Sequence, residues 1–216
     1  MKIFNPILIT GADRSGSSLV TRIIQLCGVQ TGASNQMLQN RVIQNKSISF
    51  IQSVLQKGFM PDSEKINIPR NWKAEIENEL TPDIKWMFKS STIAQMWPVW
   101  NYAFPNARYV IVRRRTGDIV DSCMKTNYMD LFKNESNWKA IGVDNEKDAW
   151  VWWVRQYEQK FIEMLEWGCN CKIIWPERMV TGDYAQIYEL VEWLGLEWNN
   201  KIPTIIDPKF NKSRRD

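Results

Sequence analysis

The sequence predicts an α/β fold: one three-layer domain over residues 1–216, with helices on both faces of a mainly parallel sheet. Three observations carry that expectation. Short apolar runs recur at residues 7–9, 84–88, 107–114 and 172–175, each bounded by polar or turn residues. Between them lie longer stretches with apolar side chains three and four apart, the period of a half-buried helix. Strands that alternate with helices are joined by crossovers, so the sheet runs parallel and is covered on both sides. Composition agrees, since 216 residues suit one domain and 44% hydrophobic with 24% charged residues is ordinary for a packed one. Twelve tryptophans are expected to dominate core packing or to line a pocket.

Taken in order, residues 7–9 form the first strand and run into Gly11. Residues 17–26 form a helix with Leu19, Val20, Ile23 and Ile24 on one face, and Gly28 stops it. Residues 38–57 read as a helix in two unequal pieces. Residues 58–71 hold Pro61 and Pro69 without periodicity, and read as a mobile, substrate-facing loop. A short charged helix over 72–80 precedes the strand at 84–88, and another helix starts near Thr92. The strand at 107–114 ends in cations, Arg115-Thr116-Gly117 turns the chain, and 118–124 is helical. Residues 127–145 are polar and read as a loop or insertion. The strongest helix is 146–167, with Trp150, Trp153, Val154, Tyr157, Phe161, Met164 and Leu165 as a core-facing stripe. A strand at 172–175 and a helix at 183–194 complete the pattern, without internal repeats.

The segment Gly11-Ala12-Asp13-Arg14-Ser15-Gly16-Ser17-Ser18 has the makeup of a phosphate-binding loop. It joins a strand to a helix, the setting in which successive N–H groups and a helix N-terminus cradle an anion. In a nucleotide triphosphatase the residue after the second glycine is Lys. Here it is Ser17, and the loop's one cation is Arg14. The loop suits a phosphorylated ligand other than a magnesium-bound triphosphate.

Arg14-Ser15-Gly16-Ser17-Ser18, together with Arg114 and Ser122 eight residues apart, resembles the sulfotransferases that use 3′-phosphoadenosine 5′-phosphosulfate (PAPS). Lys89 stands where several members carry Lys-Asp-Pro, here Lys89-Ser90-Ser91. The stretches at 97–108 and 175–179 are similar to the family's later motifs. The resemblance implies a P-loop nucleotide-hydrolase-like fold, PAPS as donor, adenosine 3′,5′-bisphosphate (PAP) as product, and no metal. It implies that Gly11, Arg14, Ser15, Gly16, Ser17 and Ser18 hold the 5′-phosphosulfate, and that Arg114 and Ser122 hold the 3′-phosphate. Arg113 is one residue out of register. Catalytic work falls to Arg14 and Lys89, with an acceptor hydroxyl or amine of unassigned identity.

The chain has no histidine, which excludes Ser-His-Asp triads, His-ligated zinc and an imidazole base. A proton acceptor is then sought among Asp13, beside the loop, and Asp62 or Glu64 in the 58–71 segment; residues 32–36 offer no acid. Alternatives are a P-loop kinase of a small metabolite and a catalytically silent PAP/PAPS-binding module. A net charge of +4 suits an anionic ligand without the clustered stripe of a nucleic-acid binder. Cys27, Cys123, Cys169 and Cys171 read as free thiols in a reducing compartment. With no signal-peptide pattern and no 18-residue apolar run, a soluble cytoplasmic protein is expected.

Overall fold

The computed structural model describes residues 4–32, 35, 38–55, 59–126 and 129–206. Gly58 and Asn127, at the starts of the two expected loops, lie outside them, as do Ala33, Ser34, Gln36 and the two ends of the expected 1–216 domain.

Four strands form one parallel sheet in the order β2-β1-β3-β4: β1 (Ile7–Thr10), β2 (Met87–Lys89), β3 (Arg108–Val112) and β4 (Cys171–Ile174). Ile7 lies opposite Met87 on one side and Arg108 on the other. Because side chains alternate across a strand, each strand feeds two cores. Leu8, Phe88, Tyr109 and Ile111 face one side. Ile7, Ile9, Met87, Val110, Val112 and Ile174 face the other. Such doubly buried strands read as continuous apolar runs, which is how they look in the sequence.

The second face is aliphatic. It is closed by α1 (Ser17–Leu26), α10 (Ala185–Trp193) and the short α9 (Pro176–Val180) and α11 (Ile202–Ile205). The first face is aromatic. It is covered by α2 (Arg41–Val54), α3 (Trp72–Glu77), α4 (Thr92–Gln95), α5 (Trp97–Ala103), α6 (Thr116–Lys125) and α8 (Glu146–Glu166), with α7 (Glu135–Ala140) packed against α8. Trp72, Trp86, Trp97, Trp100, Trp150 and Trp153 are buried there. Trp100 meets Trp72 edge-on at 5.7 Å and stacks on Phe88 at 5.4 Å. Each such pair is worth about 0.5–1.5 kcal/mol beyond its burial.

Several local expectations change. Residues 41–54 form one helix, not two pieces, because they contain no Gly or Pro and Asn40 caps the N-terminus by accepting from Val42 N and Ile43 N. The 127–145 stretch is not all loop. Asn134 accepts from Ser136 N and starts α7, a single short helix whose Trp138 alone packs, half-buried, against the core. The β2 strand is later than 84–88, since Asp83 has a left-handed φ of 61° and only residues 87–89 pair with β1. Leu165 is exposed, one step past the seam of Tyr157, Phe161 and Met164. The 59–71 segment carries a 3-10 turn (Ser63–Lys65), and Ser63 donates to Glu163 at 2.7 Å while accepting from Lys160. These partners lie in the last two turns of α8, so Ser63 ties the segment to that helix.

Candidate active site

In an open parallel sheet ligands sit beyond the strand carboxyl ends, where the strand order reverses direction. Here the chain passes from β1 to β2 on one side and on to β3 on the other. The loop after β1 and the cations after β3 therefore face one crevice. It holds a cavity of about 390 Å³ lined by Gly11 through Leu19 and by Arg22, Lys89, Ser91, Arg114, Pro176 and Glu177, among others.

The loop's shape follows from its glycines. A Cβ on Gly11 would run into the Val112 carbonyl and the Ser15 side chain, so only glycine lets β1 turn this close to β3. Gly16 is left-handed at φ 93°, and its bare α-carbon lets Pro176 approach to 3.1 Å of where a Cβ would stand. As the N-cap of α1 it offers no side chain, and the first turn has no acidic residue. The N–H groups of that turn thus present positive partial charge to the cavity. Arg14, itself left-handed at φ 68°, projects from the loop and is exposed.

Successive strand-end residues point to opposite faces. Arg113 turns onto α8, pairs with Glu158 at 2.5 Å and lies over the Trp175 ring at 4.8 Å. Arg114 lines the cavity, and its guanidinium donates to the Arg14 carbonyl at 3.3 Å. Arg115 N donates to Glu177 Oε1 at 3.1 Å, which ties the β3 exit to α9. Ser122 does not line the cavity; its hydroxyl accepts from Arg14 Nε at 2.9 Å. Arg14, Arg114 and Ser122 are thus brought into one cluster, with Arg14 rather than Arg114 on the serine.

Lys89, the last residue of β2, is 8% exposed and donates to Ser18 Oγ at 3.4 Å. Burial holds its ammonium below the ordinary lysine range; Asp13 opposes that and Arg14 adds to it. Asp13 is the mirror case. Burial pushes its carboxyl above the usual aspartate range, against the pull of the Ser91 hydroxyl, Lys89 and Arg14. Asp62 and Glu64 are elsewhere: neither lines the cavity, and Asp62 is exposed and paired with Lys65 at 2.8 Å.

The sequence pattern overlooked Arg22, Gln39, Ser91, Met129, Glu177, Val180 and Ile205 as cavity walls. Arg22 was within reach, being one helical turn beyond Ser18 on α1. The tryptophans are not walls: none lines the cavity. The four cysteines are unpaired thiols. Among the described residues, no helix is long and apolar enough to cross a membrane.

Comparison with solved structures gives a sulfotransferase from Mycobacterium tuberculosis H37Rv, with TM-score 0.55 and 12% identity over 95% of this chain and 71% of that one. A sulfotransferase from Mycobacterium avium gives TM-score 0.53 and 11% identity over 100% of this chain and 70% of that one. At such identity the likeness concerns the fold, which is that of the P-loop-like α/β sulfotransferases. No curated protein matches the sequence. The sulfotransferase family model, however, matches residues 6–200, from the start of β1 to beyond α10, and the chain belongs to the sulfotransferase family.

Proposed function

We propose that this protein transfers a sulfuryl group from PAPS to an acceptor hydroxyl or amine by in-line displacement, without a metal. One observation supports this above the others: the uncapped start of α1, Arg14, Lys89 and Arg114 converge on one cavity at the strand carboxyl ends.

The donor brings a sulfuryl group on a 5′-phosphate leaving group, and a 3′-phosphate that ATP lacks. The loop N–H groups with Ser17 and Ser18 hold the 5′ end. Arg114 holds the 3′ end from the cavity wall, and Ser122 anchors the Arg14 side chain that serves the 5′ end. Leu19, Pro176, Val180 and Ile205 give the same cavity an apolar wall for a flat base. As the bond from sulfur to the phosphate oxygen breaks and the bond from sulfur to the acceptor forms, negative charge gathers on the leaving phosphate. Fixed donors aimed there stabilise the transition state more than the ground state. Lys89 and Arg14 supply the charge for that, and Asp13 takes the acceptor's proton. Its raised carboxyl pKa makes it a stronger base than an ordinary aspartate.

The test is PAP release from PAPS in EDTA with a panel of phenol, sugar, lipid and amine acceptors, with the sulfated product identified by mass spectrometry. Turnover without metal, reduced in Lys89→Ala, is expected. Magnesium-dependent use of ATP without PAPS turnover would make the protein a metabolite kinase. PAP binding with no turnover for any acceptor would make it a silent binding module.

A further inference from the structure

Among the described residues, two carboxylates line a cavity whose cations, Arg14, Arg22, Lys89 and Arg114, suit an anion. Asp13 belongs to the loop, and Glu177 comes from the first turn of α9. A carboxylate near phosphates weakens their binding by repulsion unless it accepts a hydrogen from the same ligand. Glu177 is placed to do so.

Its position is fixed from two sides. Pro176, the residue before it, packs on Gly16 of the phosphate loop, 3.1 Å from where a Cβ would stand. Its own carboxylate accepts from Arg115 N at 3.1 Å, one residue past Arg114. The two anchors are themselves tied, since the Arg114 guanidinium donates to the Arg14 carbonyl at 3.3 Å. Glu177 therefore sits between the groups that take the 5′ end of the donor and the group that takes its 3′ end. In a nucleoside 3′,5′-bisphosphate the ribose spans those two ends. With its 3′ and 5′ oxygens esterified, the sugar has one hydroxyl left, the 2′-OH, vicinal to the 3′-phosphate. A carboxylate has about four acceptor positions and Arg115 N takes one, so capacity remains for that hydrogen. Val180 lies three residues further along α9, on the same face, and belongs to the apolar wall that suits the base. One short helix thus offers an acceptor for the sugar and a surface for the base.

We propose that Glu177 is a specificity-determining residue: it accepts a hydrogen bond from the ribose 2′-OH and so selects ribonucleotide over 2′-deoxyribonucleotide donors. This rests on the cavity being the PAPS site. The experiment is a double-mutant cycle read by titration calorimetry in EDTA. Wild type, Glu177→Ala and Glu177→Gln are each titrated with PAP, with 2′-deoxy-PAP, and with purine riboside 3′,5′-bisphosphate, which lacks only the 6-amino group. In the wild type, loss of the 2′-OH is expected to weaken binding about tenfold or more, as for a hydrogen bond to a charged group. Glu177→Ala is expected to bind PAP and 2′-deoxy-PAP within about twofold of each other. Glu177→Gln keeps an acceptor and is expected to keep part of the preference. A carboxylate that only braces Arg115 would weaken every ligand by the same factor when removed. A preference for PAP over 2′-deoxy-PAP that stays at its wild-type value in Glu177→Ala therefore overturns the proposal. So does a coupling found only with the ligand lacking the 6-amino group, which would set the carboxylate on the base. Equal wild-type affinity for PAP and 2′-deoxy-PAP overturns it without any variant. A wild type that binds no PAP at all overturns the donor reading itself, and the proposal with it.

Discussion

Arg113 and Arg114 are neighbours with the same side chain, yet the fold gives them separate work, so removing each in turn should break different properties. Arg113 is half-buried, paired with Glu158 and set over Trp175. A partly screened ion pair contributes about 1 kcal/mol at most and a cation–π contact about 0.5–1 kcal/mol. Arg113→Ala should therefore cost about 1.5–2 kcal/mol of stability. For a chain of this size that lowers Tm by roughly 3–8 °C. PAP affinity should hardly change. Arg114→Ala reverses the pattern. It removes a charge-assisted contact to phosphate worth about 1.5–3 kcal/mol, which weakens PAP binding by roughly 10- to 160-fold and leaves Tm nearly in place. Titration calorimetry in EDTA and a thermal melt of the apo protein are the two assays. Equal losses of affinity in the two variants would refute the division of labour at the β3 exit. A larger loss in Arg113→Ala would place the phosphate on the other face of the strand.

Other perturbations separate binding, chemistry and folding. Lys89→Ala should lower PAP release far more than PAP affinity, because its charge acts on the leaving oxygen; equal effects on both would make it a ground-state ligand. Gly11→Ala should abolish PAP binding and lower Tm, since the added Cβ meets the backbone carbonyl of Val112, which cannot yield as a flexible side chain does; a variant that binds normally would contradict the close approach of β1 and β3. For stability against pH, Asp13 binds its proton more tightly folded than unfolded, so it costs stability increasingly as pH rises above the ordinary aspartate value and in full above its raised folded pKa. Asp13→Asn should thus raise Tm at neutral pH, and the gain should shrink as pH falls toward the ordinary aspartate value of 3.8. A gain that grows toward acid pH would mean that Asp13 is stabilised as a carboxylate.

Much of this was legible in the chain because it is local. The start of α1 at Ser17 and its stop at Gly28 follow from glycine and apolar spacing, and both match. The strands stand out because burial on two faces demands uninterrupted apolar runs. What stayed hidden was tertiary. Ser63 bonds Glu163 a hundred residues away, and nothing in the 58–71 composition encodes that anchor. The contact of Ser122 with Arg14 could not be read either: the resemblance set Ser122 with Arg114 as ligands of one phosphate, and only the fold brings Arg14 to the serine. Asp13 could be named from its position in the loop, but the surroundings that perturb it come from β2, α6 and α8.

The measurement that bears most directly on the donor site compares thermal stabilisation by PAP in EDTA with that by ATP and magnesium. At ligand near 100 times its dissociation constant, PAP should stabilise the protein by about 2.7 kcal/mol, a rise of roughly 5–11 °C in Tm. ATP with magnesium should give little, having no 3′-phosphate for Arg114 and no lysine after Gly16 to meet its terminal phosphates. A shift with ATP and magnesium but none with PAP would contradict the account and make the cavity a triphosphate site.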